Sequence, residues 1–150
     1  MAHTFANLLT HVIFSTRDRE PLIPLELKPD LVAYLGGIVR EIQGKCVAAN
    51  SMPDRAHLFL WLPPGVAIAE AVRIVKTNSS RWVHQTRSRL RGFGWQTGYG
   101  AFSVSQSNAA SVTKYIRDQE KHHRRVTFQE EFISFLKKNG APYDERYIWE

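Results

Sequence analysis

Two short stretches carry side chains whose types and spacing suit phosphodiester chemistry. In "SVTKYIRDQEKHH" Tyr115 and Gln119 are four residues apart, which places them on one helical face, with His122 close to the same line. A tyrosine hydroxyl can attack a phosphodiester and hold the broken strand as a phosphotyrosine. An amide oxygen one turn away can reach a metal ion. Taken alone, the pair also fits a packing tyrosine and a surface glutamine. The second stretch is "SMPDRAHLFLWL", from Ser51 to Leu62, which opens with a Pro-Asp turn signal and then alternates. Arg55, His57, Phe59 and Trp61 point to one face, and Ala56, Leu58, Leu60 and Leu62 to the other. The second set is an ordinary core face. On the first, an arginine and a histidine stand side by side, next to two aromatics suited to base stacking or to packing beneath a helix.

The elements that must position these residues follow from periodicity. "HVIFST" (His11 to Thr16) reads as a first strand, and a helix from about Leu25 to Gln43 repeats apolar residues at helical spacing. Gly44 is expected to end it in the left-handed conformation. "KCVAANSM" and "RAHLFLWL" form the second and third strands around Pro53-Asp54. After "PPG", a second helix carries the stripe Ile68, Ala71, Val72, Val75, Ser79, Trp82 and Val83. "YGAFSVS" (Tyr99 to Ser105) is a fourth strand. A third helix starts at Asn108 as N-cap and runs to Lys121–His123, where cations suit the helix dipole. A last helix starts at Thr127, with Glu130 completing a capping box, and stops at Gly140. The order strand-helix-strand-strand-helix-strand, then two helices, predicts an α+β, ferredoxin-like antiparallel sheet in one domain spanning residues 1–150. The two extra helices must dock on the sheet's other face or on a second subunit.

Charge points to the partner. The net charge is +6, and between Ala71 and Arg117 there is no Asp or Glu, yet Arg73, Lys76, Arg81, Arg87, Arg89, Arg91, Lys114 and Arg117 fall there. One-sign segments of this kind suit a polyanion, with Arg73, Lys76, Arg81, Arg87 and Lys114 as DNA-contact candidates. A solvated basic helix face is the plainer reading. No apolar run is long enough to span a bilayer, no secretory signal layout is present, and the single Cys46 fits a buried role in a reducing cytosol. A cytoplasmic protein without a membrane partner is expected. His3 and His11 have no partner pattern, and neither a phosphate-binding glycine loop nor zinc spacing occurs.

Together "MPDRAHLFLWLPP", "SSRWVHQ", "WQTGYGAFSVSQSN", "KYIRDQEKHH" and "YDERYIW" resemble the single-tyrosine transposases of the HUH class, including their REP-associated relatives. The resemblance implies a homodimer acting on single-stranded or hairpin DNA through a 5′-phosphotyrosine at Tyr115. It also implies a divalent metal, Mg²⁺ or Mn²⁺, held by His57, Gln119 and a further histidine. Arg55 stands where that histidine is expected. Arginine offers no lone pair and is always charged, so normal metal binding is not expected. Arg55 can instead contact a DNA phosphate, mark a copy that binds without cutting, or be tolerated with weak metal-dependent activity. His122 and His123 resemble a family doublet, which phosphate contact or helix-end capping explains as well as ligation does. An RNA-binding ferredoxin-like domain is the remote alternative, because "RGFGWQTGYGAF" superficially matches the aromatic strand of such domains.

Overall fold

The computed structural model describes residues 3–123 and 126–150, with the side chains of 122 and 123 excepted. Its strands are β1 (Leu9–Ser15), β2 (Lys45–Met52), β3 (Arg55–Trp61) and β4 (Gly100–Val104). Its helices are α1 (Lys28–Glu41), α2 (Ile68–Thr86), α3 (Ala109–Arg117), α4 (Gln119–His123) and α5 (Phe128–Lys138). The sheet is antiparallel with order β2-β3-β1-β4, the expected ferredoxin-like arrangement. β-Branched and aromatic residues build the central strand β1, which is buried along its whole length.

Strand alternation divides the interior into two layers. Val12, Phe14, Ala56, Leu58 and Leu60 pack with Leu31, Leu35 and Val39 of α1 and with Ala71, Val72, Val75 and Val83 of α2. The opposite face is covered by the helices that the sequence left unplaced. Ile116 of α3 packs on Leu9, Ala48 and Phe59, while Phe128, Phe132 and Leu136 of α5 pack on Ile13 and Phe102. Gly100 makes the second contact possible: a Cβ there would lie 2.7 Å from the Phe132 ring. Phe59 is therefore a core residue under α3 and not a stacking platform for bases.

Three helix boundaries differ from expectation. The left-handed residue after α1 is Gln43 (φ 67°), and Gly44 is required for another reason. A Cβ on Gly44 would fall 2.9 Å from Val39 and 3.0 Å from the Trp61 carbonyl, so the glycine permits close approach of helix end and strand. Asn108 makes no side-chain cap to α3, because a 3₁₀ turn at Gln106–Asn108 already leads into the helix. The third helix is also broken, with Asp118 leaving helical geometry (φ −91°, ψ 19°) between α3 and α4. Tyr115 and Gln119 thus flank a break where one continuous helix was expected. Asp118 has low helix propensity, and Lys114 holds its carboxylate at 2.5 Å. At α5 the Thr127–Glu130 capping box forms as read from the sequence.

Candidate functional site

The covered polar face of the sheet brings together residues from five elements. β3 supplies Arg55 and His57, β1 supplies His11, α3 Tyr115, α4 Gln119 and α5 Glu131. Antiparallel pairing sets His57 opposite Ile13 and Phe59 opposite His11, so both histidines share one face. His11 Nε2 and His57 Nδ1 share a hydrogen bond of 2.8 Å, with their rings stacked at 5.1 Å. His57 Nε2 donates to Glu131 Oε1 at 3.0 Å. The Arg55 guanidinium lies 3.2 Å from the same oxygen, and Tyr115 donates its hydroxyl to Glu131 Oε2. The Tyr115 ring stands edge-on to His57, with centroids 5.9 Å apart.

This cluster is buried: Arg55 is 1% exposed, His57 and Gln119 0%, and Glu131 4%. A guanidinium at that depth needs compensation. Besides Glu131 it receives Asp54 at 3.5 Å and donates to the Val126 carbonyl at 3.3 Å. Burial raises the Glu131 carboxyl, but the bond to His57, the charges of His57 and Arg55 and the Tyr115 hydroxyl outweigh it, bringing the group down to about 2. Burial pushes the Tyr115 phenol well above its ordinary value, and the Glu131 carboxylate beside it adds to the effect. Burial, reinforced by the neighbouring His57, lowers His11 to about 3. The phenol is therefore held protonated against an ionised carboxylate.

The same geometry tests the implied metal. Both ring nitrogens of His57 are engaged, one by His11 and one by Glu131. The position of the further ligand carries a guanidinium, which cannot donate a lone pair. Gln119 donates to the Tyr115 carbonyl at 3.3 Å, and only its Oε1, buried without a hydrogen-bond partner, remains as a donor atom. As arranged, these residues do not fit a divalent ion. Among the described residues no group of three or more His, Cys, Asp or Glu side chains is disposed to hold one.

Sequence reasoning missed two members of the cluster. Glu131 lies on the apolar stripe of α5 with Phe128, Phe132 and Leu136, and an acid on such a stripe was the available signal. His11, read as having no partner, shares its face of β1 with the buried Leu9 and Ile13. The side chains of His122 and His123 lie outside the described residues. Cys46 packs against the α1/α2 core, and burial pushes its thiol up to about 11, an inert environment.

The basic candidates divide between layers. On α2, Arg73 is exposed and paired with Glu70 and Arg81 is exposed, and just past the helix Arg87 bonds Asp30 at 2.7 Å. Lys114 projects from α3 on the opposite side of the sheet. Lys76 turns inward, donating to the carbonyls of Gln96, Thr97 and Gly98, and burial lowers its ammonium to about 8. Its first role is to fix the loop before β4. A cavity of about 500 Å³ beside it is lined by Arg17, Arg73, His84, Trp95 and Tyr99. Another, of about 300 Å³, is lined by His11, Tyr115, Glu131 and Lys138. Among the described residues, no helix is long and apolar enough to cross a membrane.

Comparison with known proteins places the chain in a family and matches its fold. The chain is 28% identical over 114 residues to the ISDra2 transposase TnpA of Deinococcus radiodurans, an alignment covering 73% of this chain and 81% of the relative. A crystal structure of a protein assigned as a transposase from D. radiodurans R1 superposes with a TM-score of 0.63 at 26% identity, covering 79% of this chain and 95% of that one. A REP-associated tyrosine transposase bound to a REP hairpin superposes with a TM-score of 0.59, over 84% of this chain and 76% of that one. At 14% identity it shows the fold alone. The sequence model described as "Transposase IS200 like" matches residues 4–119, which ends before α5 and Glu131. By that match, the chain belongs to the IS200-like transposase family.

Proposed function

We propose that this chain binds single-stranded or hairpin DNA and that Tyr115 is the nucleophile that cuts it. The observation carrying this reading is the docking of Tyr115 against His57, in a buried polar cluster that a cavity connects to the surface. The family membership supplies DNA as the substrate class. In the step itself the Tyr115 oxygen bonds to phosphorus while the bond from phosphorus to the 3′-oxygen breaks. The phenolic proton is lost to water, and the released 3′-oxygen takes up a proton. The products are a 5′-phosphotyrosine and a 3′-hydroxyl, and the reverse reaction rejoins strands. Phosphates away from the cut are held by the exposed Arg81 and by Arg73, Arg87 and Lys114, whose exchangeable surface ion pairs cost little to replace. The working unit is a homodimer, for which β2 and β4 stand at the two edges of the sheet.

A second reading is favoured by one contact. Glu131 engages both His57 and the Tyr115 hydroxyl, an arrangement that supports a resting or silent site. A hairpin oligonucleotide with a single-stranded flank, incubated with and without Mg²⁺ or Mn²⁺ and resolved on a denaturing gel, separates the readings. A covalent adduct supports nicking, and binding without adduct supports a DNA-binding regulator. Preference for the matching RNA hairpin would sink both.

A further inference from the structure

The Glu131 carboxylate meets every demand that a phosphodiester under attack by Tyr115 would make. A scissile phosphate must lie within about 3–3.5 Å of the phenolic oxygen, with its negative oxygens facing fixed donors or cations. Glu131 Oε2 accepts the Tyr115 hydroxyl, while Oε1 lies 3.2 Å from Arg55 and 3.0 Å from His57. The anion is therefore already in place, but it belongs to the protein. It comes from α5, beyond the segment matched by the family, and sits on the wall of the 300 Å³ cavity whose lining includes Lys138.

The geometry points to Glu131 as an internal stand-in for the scissile phosphate: Arg55 and His57 form a phosphate site that works without a divalent ion, and DNA must displace the Glu131 carboxylate to occupy it. The inference rests on the DNA-cleaving reading above and names what replaces the metal that these residues do not fit. Arginine suits the task, because its planar fork pairs two oxygens of a carboxylate or a phosphate in the same way. The exchange swaps one anion for another, so the buried guanidinium is never left without a counter-charge.

Binding of a flanked hairpin in EDTA tests this. Glu131→Gln, which removes the competing charge and keeps the shape, should tighten flank-dependent binding by about tenfold. The gain should vanish in the Arg55→Gln, Glu131→Gln double variant. A gain that appears only with Mg²⁺, or that persists without Arg55, would overturn the inference. If Glu131→Gln fails to fold, the unmodified protein decides through methylphosphonate substitution at successive linkages of the flank. One linkage whose neutralisation weakens binding at least fivefold in EDTA supports a phosphate site, and uniform tolerance overturns it. Should the unmodified chain not bind the flanked hairpin at all, the DNA reading falls and this inference falls with it. Normal binding that is indifferent to Glu131→Gln removes the inference alone.

Discussion

The two faces of one sheet are held together by different physics. Alternate residues of β1 and β3 feed both. Val12, Phe14, Ala56, Leu58 and Leu60 pack in a cluster built mainly from apolar side chains of α1 and α2. One position along, His11, Arg55 and His57 meet each other, Glu131 and Tyr115. The apolar face gains from every group removed from water, whatever its neighbour, at about 25 cal/mol per Å². On the opposite face, apart from the apolar contacts of α3 and α5, the polar cluster gains little until its last partner arrives, because each buried charge costs more than the others can repay without it.

The largest effect should come from removing one partner. Glu131→Ala leaves Arg55 buried without its nearest carboxylate and should cost about 3–5 kcal/mol in urea unfolding, comparable to Leu58→Ala on the apolar face. The faces then part company. Arg55→Met combined with Glu131→Leu should recover most of that loss, because an apolar pair of similar volume carries no desolvation penalty. A double variant as unstable as Glu131→Ala would mean that the ion pair contributes directly to stability.

Acid should act on one face only. The folded-state value for Glu131 lies below its ordinary 4.5, at about 2. Its contribution is thus complete above about pH 4.5 and is lost as pH falls through the window down to about 2. The loss should be on the order of 3 kcal/mol, absent from Glu131→Gln and unchanged by Leu58→Ala. Equal acid sensitivity in wild type and Glu131→Gln would assign the effect elsewhere. A smaller change tests how α5 reaches the sheet. Gly100→Ala should cost about 1–3 kcal/mol by pressing on Phe132, measured as a lowered Tm, and should leave the α1/α2 layer intact.

The apolar layer was legible in the sequence because periods of 2 and 3.6 are local properties. They placed Ala56 and Leu58 opposite Arg55 and His57, and Ala71, Val75 and Val83 on the buried stripe of α2. The polar cluster was legible only by half. Tyr115, His57 and Gln119 could be singled out by residue type and spacing, yet their surroundings depend on tertiary docking. His11 meets His57 only through the β1–β3 register, 46 residues apart. Glu131 meets His57 only through the placement of α5, 74 residues further on. The left-handed Gln43 was missed for a related reason, since close approach of strand and helix end claims Gly44, whereas the break at Asp118 follows a local propensity that the helical spacing of Tyr115 and Gln119 masked.

In the proposed function, Tyr115 attacks DNA at the polar cluster of the sheet. Peptide mapping of covalent adducts by mass spectrometry tests it most directly, using a flanked hairpin with the unmodified chain, Glu131→Gln and Tyr115→Phe. The expected result is a nucleotide-modified peptide at Tyr115 whose yield rises in Glu131→Gln and disappears in Tyr115→Phe while hairpin binding persists. An adduct on another residue, or none in either tyrosine-bearing protein with the hairpin bound, would contradict it.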